Sequence, residues 1–222
     1  GISCPTPVRV LGATGTTAVA AGFEFLCTTH ADGTVRCMGA GGDGELGRPV
    51  ARASVSEPLT PVPGVTDVAD LVAGSGHVCA LRRDQTVVCW GRNSFGQLGE
   101  RAAAPNSTPT PVNNITNVRA VAAGATHTCV LRAAGTVACW GANNGAQLGF
   151  APDRLSLFEA HPAPFEVLGV TDVVEIAAGA RILPFTYLGH GCRIGPECVV
   201  GPFAHLRGGT VLDRGAVVGN FV

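Results

Sequence analysis

Residues 121–149 decide the fold of this chain: Val-Ala-Ala-Gly-Ala-Thr-His-Thr-Cys-Val-Leu-Arg-Ala-Ala-Gly-Thr-Val-Ala-Cys-Trp-Gly-Ala-Asn-Asn-Gly-Ala-Gln-Leu-Gly. The stretch returns at 71–99 and, more weakly, at 19–47. Its opening Ala-Gly falls at 21–22, 73–74 and 123–124, and its closing Leu-Gly at 46–47, 98–99 and 148–149. The period is therefore 52 and then 50 residues. Self-similarity of that length marks a propeller or solenoid array.

Within one copy the pattern is a β-hairpin. Cys27 and Cys37, Cys79 and Cys89, and Cys129 and Cys139 are each ten residues apart. Ala31-Asp32-Gly33, Arg83-Asp84-Gln85 and Ala133-Ala134-Gly135 lie between them. A three-residue hairpin loop favours glycine in the left-handed region at its last position. Gly33 and Gly135 supply it, whereas Gln85 departs and is expected to be mildly strained. A turn centred on residue 32, 84 or 134 sets the two cysteines of each copy directly opposite. Opposed antiparallel residues have Cα atoms about 4.5 to 5.5 Å apart, within the window a disulfide requires. The expectation is three disulfides, Cys27–Cys37, Cys79–Cys89 and Cys129–Cys139. Against it stands the reading of small, reduced core residues. Both hairpin faces are apolar: Cys79, Leu81 and Val87 point one way, and Val78, Ala80, Val88 and Trp90 the other. A sheet with one face in water would alternate apolar and polar residues. Each small sheet is therefore expected to lie between neighbours, as propeller blades do.

The consensus Ala-Ala-Gly-x-x-His-x-Cys-x-Leu-x-x-x-Gly-Thr-Val-x-Cys-Trp-Gly-x-Asn-x-x-x-Gln-Leu-Gly resembles the repeat of the regulator of chromosome condensation family. The cysteine pair is similar to that of its bacterial, exported members. The resemblance covers about residues 1–180. It implies a seven-bladed β-propeller built from such repeats, used as a rigid scaffold for binding proteins, chromatin or, in one bacterial inhibitor, a β-lactamase.

The 222 residues suffice for one large domain or two small ones. Apolar residues make up 46% and charged residues 14%, with 31 glycines, which is a globular, turn-rich composition rather than a disordered one. Fifteen arginines and no lysine exclude a Walker-type phosphate loop and a Schiff-base lysine, since both need the amine. A net charge of −1 argues against nucleic acid as partner. No apolar run approaches the length of a membrane helix. The chain opens at Gly1 without methionine, which reads as a processed precursor or a fragment. Residues 48–64, 100–114 and 150–169 are proline-rich links between copies, read as loops and edges. Asn106-Ser107-Thr108 and Asn114-Ile115-Thr116 match the glycosylation pattern, a chance match in a bacterial chain. His77 and His127 share one repeat position, which favours a packing role over a metal or catalytic one. No catalytic or metal-ligating set is read from the chain.

A fourth copy begins within 165–180 and fails. Val170-Thr171-Asp172-Val173 and Ala177-Ala178-Gly179 match the repeat, but Ile182 and Pro184 stand where His and Cys are required. The period then becomes six: Ile182, Leu188, Ile194, Val200, Leu206, Leu212 and Val218. Four positions after each come Thr186, Cys192, Cys198, Ala204, Thr210, Ala216 and Val222. This is a hexapeptide β-helix in which three hexapeptides form one triangular coil and the aliphatic residues point inward. Cys192 and Cys198 are read as reduced core residues. Ile182-Leu183-Pro184-Phe185-Thr186, Gly201-Pro202-Phe203-Ala204-His205-Leu206-Arg207 and Val218-Gly219-Asn220-Phe221-Val222 resemble the acetyltransferase half of the bifunctional N-acetylglucosamine-1-phosphate uridyltransferase family over 181–222. That resemblance implies a left-handed β-helix that trimerises and uses acetyl-coenzyme A. It also implies a sugar-phosphate contact for Arg207, although Gly208 replaces the proline usual there. His190 and His205 do not match that family's catalytic histidine.

The expected chain is all-β. About three and a half propeller blades occupy 1–180, and a short left-handed β-helix occupies 181–222. The junction near Gly179–Arg181 reads as a fragment, a chimera or a natural fusion. Disulfides point to the cell exterior for 1–180, and the remainder resembles a cytoplasmic enzyme. The expected function is non-enzymatic protein binding without a cofactor. The alternative is part of a glucosamine-1-phosphate acetyltransferase using acetyl-coenzyme A. Two bare blade faces and an open β-helix end are expected to drive self-association.

Overall fold

The computed structural model describes residues 9–50, 57–100, 105–149, 160–167, 175–176, 181–182, 187–188, 193–200, 205–206 and 209–218. Every helix or strand among them is a strand. Each copy of the long repeat forms one four-stranded antiparallel sheet in simple up-and-down order. Blade 1 holds β1 (Thr16–Ala21), β2 (Phe25–His30), β3 (Val35–Gly39) and β4 (Glu57–Pro61). Blade 2 holds β5 (Val68–Ala73), β6 (His77–Arg82), β7 (Val87–Gly91) and β8 (Asn106–Pro111). Blade 3 holds β9 (Val118–Ala123), β10 (His127–Arg132), β11 (Val137–Ala142) and β12 (Ala160–Glu166).

The central hairpin of each blade has the register that the cysteine spacing dictates. Cys27 faces Cys37, Cys79 faces Cys89 and Cys129 faces Cys139. All three pairs are disulfide-bonded, with Cα atoms 4.1, 4.2 and 4.1 Å apart. Gln85 takes φ 68° where Gly33 and Gly135 take 78°, so the left-handed site is kept with a side chain on it. The proline-rich links contribute the outermost strands β4, β8 and β12. Proline is tolerated there because an edge strand need not donate on its solvent side.

The blades stack because their faces are apolar on both sides. The Cys27, Val35, Cys37 and Leu46 face of blade 1 forms one cluster with Leu71, Val78, Ala80, Val88 and Trp90 of blade 2. The corresponding face of blade 2, with Leu81, Val87, Cys89 and Leu98, meets Val121, Val130, Ala138 and Trp140 of blade 3. Backbone hydrogen bonds stitch the inner rim, from Phe23 N to Ser75 O (3.0 Å) and from Ser75 N to Ala125 O (3.1 Å). This close approach explains the glycine that opens each of the first two copies. A Cβ on Gly74 would lie 2.2 Å from the His77 ring and 2.4 Å from the Gly124 carbonyl oxygen.

The hexapeptides form β13 (Glu175–Ile176), β14 (Arg181–Ile182), β15 (Tyr187–Leu188), β16 (Arg193–Ile194), β17 (Val199–Val200), β18 (His205–Leu206), β19 (Val211–Leu212) and β20 (Val217–Val218). Strands eighteen residues apart pair in parallel, as in Ile176 with Ile194 with Leu212, and Ile182 with Val200 with Val218. Three hexapeptides thus make one coil. Ile194, Cys198, Val200 and Leu206 are buried in it, and Cys198 is a free thiol. Cys4, Cys192, His190 and Arg207 lie outside the described residues, as does the side chain of His205.

One expectation needs correction. Only one blade face is bare among the described residues. Val19 on β1 is 61% exposed, whereas Leu71 and Val121 at the same repeat position are 6% and 5% exposed beneath the preceding blade. The opposite end of the stack is covered. Leu131, Val137, Cys139 and Leu148 of blade 3 share one apolar cluster with the β-helix core. Neither repeat period by itself encodes that packing, because it joins residues of two different periodicities.

Two substitutions should act in opposite directions. Gly74→Ala should destabilise by on the order of 3 kcal/mol, because its Cβ meets backbone that cannot yield. Gln85→Gly should stabilise by roughly 0.5–1 kcal/mol by relieving the left-handed side chain. Thermal unfolding would check both; an unchanged midpoint for Gly74→Ala would refute the close-approach argument.

Candidate functional site

Two sets of side chains stand out once the repeat is subtracted. The first is a buried polar chain between blades 2 and 3. Thr128 Oγ1 donates to Gln97 O (3.0 Å), and Trp140 Nε1 donates to the same carbonyl (2.9 Å). With its hydroxyl proton committed to Gln97 O, Thr128 must accept from His77, whose Nε2 lies 2.9 Å away. This assigns the Nε2–H tautomer and leaves Nδ1 without a donor, buried and unbonded among the described atoms. Burial, and secondarily the charge of His127, lowers the His77 pKa from 6.5 to about 3. The imidazole is therefore neutral and walled in. It is a packing element, as its repeat position suggested. Blade 1 solves the same interface with apolar residues: Phe25 takes the place of His77, and Val78 on the facing blade takes the place of Thr128, both in one cluster.

The second set lies where the loops of blades 1 and 2 meet. A cleft of about 320 Å³ is lined by Phe23, Glu24, Asp43, Glu45 and Arg92 together with small residues. Nearly all of these depart from the repeat. Phe23 replaces the Ser75 and Ala125 of the other copies, and Glu24 replaces Gly76 and Thr126. Asp43 stands against Phe95 and Gly145, Glu45 against Gln97 and Gln147, and Arg92 against Ala40 and Ala142. The scaffold bond beneath them is unchanged: Glu45 Oε2 accepts from Asp43 N (2.8 Å), as Gln97 Oε1 does from Phe95 N (2.9 Å). The Gln-to-Glu change therefore adds charge without altering local geometry. Burial raises the Glu45 pKa above its usual value, and neighbouring Asp43 adds to this. Arg92 is paired with Asp43 through both Nε and Nη2. Phe23 at the rim is 72% exposed, and Glu24 beside it is held at φ 63°.

Subtracting the repeat would have found this cleft from sequence alone, since each lining residue is a copy-specific exception. Motifs shared between copies do not reveal it. Arg207 lies outside the described residues. Among the described residues there is no cluster of His, Cys, Asp and Glu able to hold a metal, and no helix long and apolar enough to cross a membrane.

Comparison with known proteins agrees with this division. Residues 68–97 and 118–147, and an overlapping match over 84–131, fit the Regulator of chromosome condensation (RCC1) repeat. Residues 173–208 fit the Bacterial transferase hexapeptide (six repeats). The crystal structure of Prp20p from Saccharomyces cerevisiae, described with its binding to Gsp1p and histones, superposes with a TM-score of 0.66 at 26% identity, over 79% of this chain and 44% of that one. Kap60-bound yeast RCC1 (Prp20) gives 0.63 at 26% identity, over 73% of this chain and 39% of that one. Human WBSCR16 shares the fold at 21% identity, with a TM-score of 0.57 over 68% of this chain and 39% of that one. The C-terminal segment is 53% identical over 47 residues to the Bifunctional protein GlmU of Nitratidesulfovibrio vulgaris, covering 21% of this chain and 10% of that protein. The GlmU of Sphingopyxis alaskensis is 55% identical over 49 residues, 22% of this chain and 11% of that protein. The chain thus spans about a tenth of the length of these relatives. Residues 68–147 are RCC1 repeats folded as propeller blades, and a hexapeptide repeat follows them.

The His77 geometry sets a pH dependence. Above pH 6.5 the residue is neutral in folded and unfolded chains alike and costs nothing. Between pH 6.5 and about 3 only the unfolded chain takes the proton. Stability therefore falls with acidification, at a limiting slope of roughly 1.4 kcal/mol per pH unit. Replacing the polar pair by the apolar pair of blade 1, as His77→Phe with Thr128→Val, should leave neutral-pH stability near wild type and make the acid limb shallower by one proton. Denaturant midpoints from pH 7 to 3.5 measure this, and parallel limbs would contradict it.

Proposed function

We propose that this chain is an extracytoplasmic protein-binding module whose partner is seated over the cleft between blades 1 and 2. The observation that carries the reading is the gathering of copy-specific side chains at one point of an otherwise regular scaffold. Phe23 offers exposed apolar surface, Glu24 offers charge at the rim, Glu45 lies buried beneath them, and the Arg92–Asp43 pair fixes the cleft wall. Rigid repeats leave selection free to vary surface residues without disturbing the fold. The protein-binding RCC1 structures described above support this class of function. The test is reversion to the repeat: Phe23→Ser, Glu24→Gly, Glu45→Gln and Arg92→Ala combined. These changes keep the bond from Asp43 N to residue 45 and remove only the partly exposed Arg92–Asp43 pair, so thermal stability should fall by no more than about 1 kcal/mol. Extracellular proteins captured by the wild type should be lost by roughly tenfold or more, the scale expected when central interface residues are removed. Equal capture would reject the cleft as the binding surface.

Three disulfides support the extracytoplasmic placement, because such bonds persist in oxidising compartments. Protein recovered from its native compartment, denatured without reductant, should show three free thiols (Cys4, Cys192 and Cys198). Nine free thiols would place it in a reducing compartment.

We also infer self-association through the bare β1 face, where Val19 is exposed although its repeat equivalents are buried. Val19→Asp should lower the mass measured by light scattering after gel filtration at micromolar concentration. A wild-type monomer would argue against this.

A second reading, a segment of a sugar-nucleotide acetyltransferase, has the GlmU identity in its favour. It would displace the first reading if the chain acetylated glucosamine-1-phosphate and lost that activity on Arg207→Ala.

A further inference from the structure

Along the stack, β5 packs on β1 and β9 packs on β5. β13 then lies against β9, the next place in the same series. Its sequence belongs there as well. Val170-Thr171-Asp172-Val173 aligns with Val65-Thr66-Asp67-Val68, which puts Ile176 at the repeat position of Leu71 and Val121. Ile176 is also six residues before Ile182, so it falls on the hexapeptide period. Its strand pairs in parallel with β16, which pairs with β19. One strand thus satisfies both periods: it is an inner blade strand as seen from blade 3 and the first rung as seen from the β-helix.

The apolar packing says the same. The face made by Leu46 in blade 1 and Leu98 in blade 2 is covered in each case by the following blade. Its counterpart in blade 3, with Leu131, Val137 and Leu148, is continuous with Ile194, Cys198, Val200 and Leu206 of the β-helix.

We propose that the β-helix takes the place of a fourth blade, docking on the blade 3 face through the shared strand β13 and capping the stack on that side. A repeat array needs such a cap, because an interior-type face left open exposes apolar surface. A β-helix rung suits the role. Its aliphatic interior residues continue the blade core, and its parallel ladder provides the backbone partners that a lone strand would lack. The β-helix is then a structural partner of the propeller, and opening its core is coupled to the blade 3 face.

Cys198 reports on this coupling, since it is free and buried with its thiol 2.9 Å from Asp213 O. The full chain with Cys4→Ser and Cys192→Ala would be alkylated under native conditions. Leu148→Ala should speed Cys198 modification roughly tenfold or more, because a cavity at the docked face raises the population of the open β-helix. Leu46→Ala removes the same side chain from the same repeat position two interfaces away. It should change the rate by less than about twofold if the coupling is local. If Leu148→Ala does not fold, Val137→Ala against Val35→Ala makes the same comparison with a smaller deletion. An unchanged Cys198 rate in the blade 3 variant, or equal acceleration by the blade 1 control, would overturn the proposal.

Discussion

Everything in this chain depends on sheets that are apolar on both faces. Such a sheet has no stable surface of its own. At about 25 cal/mol per Å² of apolar area, the faces must be covered by neighbours, and this requirement generates the stack. It also fixes the backbone at the inner rim, where the blades approach so closely that a Cβ on Gly22 or Gly74 would meet the carbonyl oxygen of the corresponding glycine in the next blade. The disulfides, the tryptophans and the Leu-Gly turns are details of a blade. The need for a neighbour is what makes several blades one body.

The same requirement explains why the chain can change architecture without a linker. Blade 3 needs a covering face, and the chemistry of that face matters more than its topology. A hexapeptide β-helix is also a pile of short strands with an aliphatic interior. Its first strand can be aligned with the blade period and the coil period at once because Ile176 lies on both. The two repeat systems therefore share an apolar cluster rather than merely a peptide bond.

The proposed binding surface sits where the repeat is broken. The shared residues of each copy are occupied with packing, turns and inter-blade hydrogen bonds, which leaves little for recognition. His77 illustrates the distinction. It looks like a chemical residue, yet it is buried, neutral and bonded to Thr128, and blade 1 replaces the pair with Phe25 and Val78. Phe23, Glu24, Asp43, Glu45 and Arg92 are the opposite case, because each departs from the other copies at its repeat position and together they line one cleft.

Local periodicity determined a good deal by itself. The cysteine spacing set the hairpin register, the fifty-residue period set the blades, and the six-residue period set the coil. Gln85 was legible as a strained exception because turn geometry is a local property of three residues. The missing N–H of proline marked the links as loops or edges, and the sheet shows which of their residues pair as the edge strands β4, β8 and β12. Tertiary structure alone decided which faces are covered, because burial depends on what a chain segment meets rather than on its own composition. Val19, Leu71 and Val121 are the same kind of residue at the same repeat position, and only the packed molecule distinguishes the exposed one from the two that are buried. The cleft between blades 1 and 2 has the same origin: its residues are distant in sequence, and stacking brings them together.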